Sequence, residues 1–206
     1  MSEQLTLHEF SASGNCYKVR LTAALAGKQL ERREYDLMKG ETRTPEFIKN
    51  VNANGRIPVL QVGDRFIPES NAASYYVAEG SHLIPTDPFE HADMLRWMFW
   101  EQYSHEPNIA TLRFWMRWLG PDNLNDIQRV QMPHKRTAGN AALKLMDDHL
   151  NGREWFVGGS ISLADVCLFA YTHVAGDAEF DLQRYPHIGE WMQRVESTPR
   201  YISMDS

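Results

Sequence analysis

The pattern of this chain changes character across residues 80–88, and that break constrains the fold more than any other feature. Ahead of it, strand and helix signals alternate at short spacing. Leu5 and Leu7 alternate toward Phe10 as a short strand. Residues 11–15 follow as a turn, in which Ser13 or Asn15 caps a helix running through Cys16, Val19, Leu21 and Ala24 to Gly27. Residues 31–37 lie between two helix signals and are expected as a strand. Thr44 and Pro45 before Phe47 and Ile48 have the cap-then-proline form of a short helix start. Residues 59–62 and 65–67 flank the two-residue turn Gly63-Asp64 as a hairpin. Glu69-Ser70 then opens a helix through Ala73, Tyr76 and Val77. The order β-α-β-α-β-β-α predicts a small α/β layer domain over residues 1–80.

Beyond the break the signals are helical throughout. Asp87, Pro88 and Glu90 supply an N-cap, a proline at the first helical position and an acid three residues after the cap. That helical stretch extends to about Gly120, with Pro107 expected to bend or break it. A second covers 125–150, interrupted by Pro133 and closed by Gly152. Ser162 caps a third, with Asp165 at the third helical position and Ile161 and Val166 in the two staple positions. Residues 187–196 make the last helix before Pro199. An all-helical domain over 87–206 is therefore expected.

Composition narrows the function classes. Apolar residues make up 43% of the 206 and aromatics 11%, enough to build cores and to exclude a disordered chain. The most apolar stretch, 166–176, is shorter than the roughly 20 residues that cross a bilayer, so no membrane partner is expected. The start of the chain lacks a basic region and a long apolar core, so no secretory signal is expected. Net charge is −6 with no basic block, which removes the electrostatic footprint of nucleic-acid binding. Cys16 and Cys167 lie too far apart in sequence for a dense disulfide framework, which fits a reduced cytoplasmic setting. The eight histidines are scattered, and neither metal-ligand spacing nor a phosphate-binding loop occurs. No metal and no tightly bound cofactor are expected.

Four landmarks occur in order: residues 13–20 at the first helix, 54–60 (Asn-Gly-Arg-Ile-Pro-Val-Leu) before the hairpin, 68–70 (Pro-Glu-Ser) after it, and the 162–165 cap (Ser-Leu-Ala-Asp). With these the chain resembles the cytosolic glutathione S-transferase family along its whole length, in the manner of bacterial theta-, zeta- or beta-like members of serine or cysteine type. The resemblance implies a thioredoxin-like N-terminal domain followed by an all-helical C-terminal domain. It also implies conjugation of the glutathione thiol to an apolar electrophile, a detoxifying role, glutathione as co-substrate and a homodimer. The family's usual Asn-Pro-x-Gly is here Asn52-Ala53-Asn54-Gly55, a departure that bears on packing more than on chemistry.

Each landmark also has a physical reading. Pro58 cannot donate a hydrogen bond, and a proline directly before a central strand marks a special backbone arrangement. By resemblance the Ile57–Pro58 bond is cis and presents the backbone of Ile57, which can pair with a short peptide as another strand would. Ser70 stands at a helix N-terminus, where free N–H groups and the dipole favour a carboxylate, and Glu69 beside it suits an ammonium group. Together they fit an amino-acid head such as the γ-glutamyl end of glutathione. A free thiol has a pKa of about 8.5, and only its thiolate attacks well, so a hydroxyl donor at a helix N-terminus would activate it. Ser13 is the expected donor with Asn15 in support. Cys16 is the alternative, through disulfide exchange in a thiol transferase or peroxidase, and Ser11 a third candidate if the loop is registered differently. Ser13 and Asn15 equally serve as helix caps and Cys16 as a small buried residue.

Lys39 and Arg56 are candidate cations for the glycine carboxylate, and both are equally suited to solvent. Gln102, with Glu101, is a candidate to reach across a dimer interface. Among the aromatic-rich residues after position 97, most belong to packing, and Tyr103, Asn108, Arg113 and Trp115 are the candidates for an electrophile pocket. A non-catalytic binding or regulatory protein on the same architecture is the remaining alternative.

Overall fold

Strand formation starts where the alternation starts. In the computed structural model, which describes residues 4–206, β1 is Leu5–Glu9, followed by α1 (Gly14–Ala26), β2 (Glu31–Glu34), α2 (Pro45–Asn50), β3 (Val59–Val62), β4 (Arg65–Pro68) and α3 (Ser70–Ala78). The four strands lie in the order β2-β1-β3-β4, with β1 parallel to β2 and antiparallel to β3, and β3 antiparallel to β4. Leu7 is opposite Leu60, and Leu60 is opposite Ile67, so one face of the sheet is apolar. On it Leu7, Leu60 and Val62 pack with Val19 and Ala23 of α1 and Ala73 and Val77 of α3. The opposite face carries His8, which contacts Tyr35 and Gln61, while Phe47 of α2 meets Tyr35 edge-on at 5.0 Å. This is a thioredoxin-like domain.

The second unit, Pro85–Ser197, is helical. It contains α4 (Pro88–Trp100), α5 (Glu106–Phe114), α6 (Asp126–Leu150), α7 (Leu163–Thr172) and α8 (Pro186–Glu196). The predicted caps at Asp87 and Ser162 form, and a further one is found at Asn125. Asp87 accepts from the N–H groups of Phe89 and Glu90 at 3.0 and 2.9 Å, and Asn125 makes a reciprocal capping box with Gln128. Asp165 is fully buried and accepts four hydrogen bonds: Phe156 N–H and the Trp191 indole on one oxygen, Ser162 N–H and hydroxyl on the other. Burial pushes its carboxyl up, and these four donors pull it back.

The interruption expected at Pro133 does not occur. α6 runs through Pro133 without interruption, because twenty-five residues of helix with one buried face absorb a single lost hydrogen bond. Ahead of Pro107 the helix widens into a π-helical turn over Glu101–His105, which contains Tyr103, the residue whose carbonyl the proline ring would otherwise meet. Asn108 then donates its side-chain amide to Ser104 O at 2.7 Å. A second π turn follows at Trp115–Leu119.

The expected second domain of 87–206 also ends short. Thr198–Ser206 belong to the first unit, together with the chain up to Ile84. Backbone oxygens in this segment accept from Tyr17, Arg20 and Arg32, which local sequence patterns do not show.

Candidate functional site

The turn between β1 and α1 sets the first part of the site. Ser13 N–H donates to Phe10 O at 2.9 Å, and Ser13 caps α1, its hydroxyl accepting from Cys16 N–H at 3.4 Å. An accepting hydroxyl keeps its own proton to donate, and here it does so at the positive end of a helix. Ser11, the third candidate donor, is committed elsewhere: its hydroxyl and N–H both donate to Glu34 Oε1, at 3.0 and 2.8 Å.

Two contacts join α1 to the start of α3. Ser70 Oγ donates to Asn15 Oδ1 at 3.2 Å, and Lys18 Nζ donates to Asn71 Oδ1 at 3.1 Å. Ser70 is 5% exposed and Lys18 fully buried. Glu69, immediately before α3, has φ 72°, a conformation L side chains rarely adopt. Such a residue costs about 1–3 kcal/mol and persists where its surroundings hold it, most often at binding sites.

Pro58 approaches from the sheet. Asn52 organises the turn before it, accepting Asn54 N–H at 3.0 Å on its side chain and donating to Arg56 O at 2.9 Å. The Ile57–Pro58 peptide is cis, and Pro58 is buried directly before β3.

Cys16 stands apart from this polar frame. It is completely buried, and burial pushes its thiol up to about 12, against the Phe10 N–H bond to its sulfur at 3.5 Å. At neutral pH it is a thiol, packed as a small apolar residue. Lys39 pairs with Asp36 at 3.0 Å on the surface, and Arg56 is exposed.

The helical candidates do not converge. Tyr103 is 87% exposed, whereas Trp115 and Arg113 are buried. Arg113 bonds Asp177 at 2.9 Å and lies over Trp118. Gln102 donates to Glu101 of its own chain at 2.9 Å. Among the described residues, no group of three His, Cys, Asp or Glu side chains is placed to hold a metal ion.

Sequence reasoning passed over Lys18, Arg20 and Glu9, because charged residues are normally solvated. One signal was available: α1 is apolar on all sides, with Tyr17, Val19, Leu21 and Leu25 all buried. A charge inside such a helix must be buried and paired.

The comparisons with known proteins concern the chain as a whole. Family models described as glutathione S-transferase N-terminal domain and C-terminal domain match residues 3–79 and 119–199. A glutathione S-transferase structure from Pseudomonas fluorescens is 39% identical, with TM-score 0.91, over 98% of this chain and 99% of that one. A possible glutathione S-transferase from Rhodopseudomonas palustris is 38% identical, with TM-score 0.92, over 98% and 90%. Elongation factor 1-gamma 3 of Oryza sativa subsp. japonica is 27% identical over 96% of this chain, which spans 47% of that longer protein. With both halves matched and a solved relative nearly two-fifths identical from end to end, the chain belongs to the glutathione S-transferase family.

Proposed function

We propose that this protein is a glutathione transferase that ionises the thiol of glutathione and adds it to an apolar electrophile. The observation that carries the reading is the Ser70 Oγ–Asn15 Oδ1 bond of 3.2 Å, which ties the start of α3 to the first turn of α1. One helix start is suited to a carboxylate and the other to a thiolate, and glutathione carries both groups on one short peptide. In this reading the γ-glutamyl carboxylate lies at Ser70 and the α3 N-terminus, with Glu69 toward the ammonium group. The cysteinyl backbone pairs with Ile57 beside Pro58. The Ser13 hydroxyl donates to the sulfur and lowers its pKa, so that more of the tripeptide is thiolate at neutral pH. Holding the thiolate beside the electrophile supplies the rest of the rate. We extend the proposal to a cytoplasmic homodimer with a detoxifying role.

The disulfide-exchange reading through Cys16 has burial and a thiol near 12 against it. The binding-protein reading draws on the elongation factor 1-gamma relative, which matches over 96% of this chain but at 27% identity, below the 39% and 38% of the two transferase structures. Assay of Ser13→Ala and Cys16→Ala with glutathione and a chloronitroaromatic acceptor separates the three. Loss of about tenfold or more in kcat/KM for Ser13→Ala, with Cys16→Ala nearly unchanged, is expected for removal of one donor to a developing anion. Disulfide reduction lost only in Cys16→Ala would favour thiol transfer. A protein that glutathione-agarose fails to retain, and that neither substitution alters, would be a binding module.

A further inference from the structure

We propose that Arg20 is a positioning residue for the loop of residues 10–13, and that Thr198–Ser206 acts as a strap holding Arg20 in place. The inference rests on the transferase reading for its catalytic consequence and on contacts within the first unit for its geometry.

Arg20 lies on α1 with its side chain 2% exposed. Nε faces Glu9 Oε2 at 3.0 Å, Nη2 donates to Ser11 O at 2.6 Å, and Nη1 donates to Met204 O and Ser206 O at 2.9 and 3.1 Å. One planar group thus joins the end of β1, the middle of the loop and the strap. The strap is gripped at alternate residues: Tyr17 hydroxyl to Ile202 O at 2.7 Å, Arg20 to Met204 O, and both Arg20 and Arg32 to Ser206 O. Arg32 also pairs with Glu9, whose side chain is fully buried.

Ser11 is therefore fixed from both sides. Glu34 takes its N–H and hydroxyl, and Arg20 takes its carbonyl. Two residues later comes Ser13, whose hydroxyl caps α1. Guanidinium is the group this arrangement needs, because its fork of five donors is rigid, whereas a lysine ammonium is a point charge that can satisfy Glu9 and release the carbonyls. Without the strap's oxygens, two buried donors on Arg20 would lose their partners and the side chain would be free to turn away from Ser11.

Two variants test this: Arg20→Lys, which keeps a cation beside Glu9, and a chain lacking residues 203–206, which leaves the Tyr17–Ile202 bond intact. Hydrogen exchange on the protein without glutathione is expected to quicken about tenfold or more at the amides of residues 10–16 in both, with β3 amides within about twofold of the parent. Unchanged exchange at 10–16 overturns the strap. In the transferase assay, kcat/KM is expected to fall about tenfold on the acid side and to return to the parent value at high pH, a shift of about one pH unit in the thiol ionisation. The KM for glutathione should stay within about twofold. A loss equal at every pH, or a raised KM with kcat unchanged, reduces Arg20 to a structural residue and overturns its positioning role. A parent protein that does not bind glutathione sinks the transferase reading instead, while the exchange result still decides the strap.

Discussion

His8 shows how a single buried group makes the fold sensitive to pH. It is 1% exposed on β1, with Nδ1 at 2.9 Å from the Tyr35 hydroxyl and Nε2 at 3.0 Å from Gln61 Oε1. Gln61 donates its amide nitrogen to Gly63 O at 2.9 Å, so its oxygen must face the imidazole. Nε2 therefore carries the proton, and Nδ1 accepts from Tyr35. Burial lowers the pKa of His8, and the Gln61 bond opposes this while nearby Arg33 adds to it. The folded chain thus takes up a proton at His8 less readily than the unfolded chain. Stability from this source is present above the ordinary imidazole value of 6.5 and is lost as pH falls below it. Loss is bounded at about 1.4 kcal/mol per pH unit for one proton. His149 is lowered by burial too and adds a loss of the same sign, so the comparison must be with a variant. Urea titrations of the parent and His8→Gln at pH 7.5, 6.5 and 5.5 should show the parent ahead at the highest pH and the gap closing toward the lowest. A gap that stays constant would remove His8 from the pH response.

At the scale of elements, close packing overrides local preference. Gly139 lies inside α6, where alanine would ordinarily gain about 0.5–1 kcal/mol. A Cβ there would stand 2.4 Å from Cζ of Phe180, whose ring is 4% exposed and lies 5.5 Å under the Arg136 guanidinium one turn earlier. The ring has little room to move, and overpacking of this kind costs about 1–3 kcal/mol. Gly139→Ala is therefore expected to destabilise by about 1 kcal/mol net, and Phe180→Leu in the same chain to recover part of the loss. Gly139→Ala equal to or more stable than the parent by thermal denaturation would show that the ring yields. The same contrast explains what the sequence revealed. Caps and turns rest on neighbours within a few residues, so Ser13, Thr44, Asp87, Ser162 and the Gly63-Asp64 hairpin were all legible. Pro133 read as an interruption because a local rule does not see the buried face that holds α6 together. The π turns left no local mark beyond Pro107. Arg20 was passed over because its partners, Glu9 and Met204, lie eleven residues before it and 184 after it. Ser13, Asn15 and Ser70 were nameable one at a time, but that two of them share a hydrogen bond emerged only from the packing of α1 on α3.

For the whole molecule, the exposed apolar surface bears on the proposed homodimer. Phe99, at the end of α4, and Tyr103, in the π turn that follows, are 74% and 87% exposed. Met94, Trp97 and Met98 of α4 are buried, so α4 carries apolar side chains both into its own core and out into solvent. A large aromatic fully removed from water contributes about 1.5–3 kcal/mol, and a twofold axis would count each of these residues twice. A net charge of −6 sets a modest repulsion against association, which salt screens. The homodimer proposed above should therefore depend on this pair. Sedimentation of the parent is expected at twice the 23.8 kDa chain mass. Phe99→Glu with Tyr103→Glu removes the apolar area and brings like charges together across the axis, so that chain should sediment as a monomer with its helical content retained. A monomeric parent would end the dimer proposal. A variant that still dimerises would move the interface away from the end of α4 and the π turn after it, and leave the two exposed rings without a role in assembly.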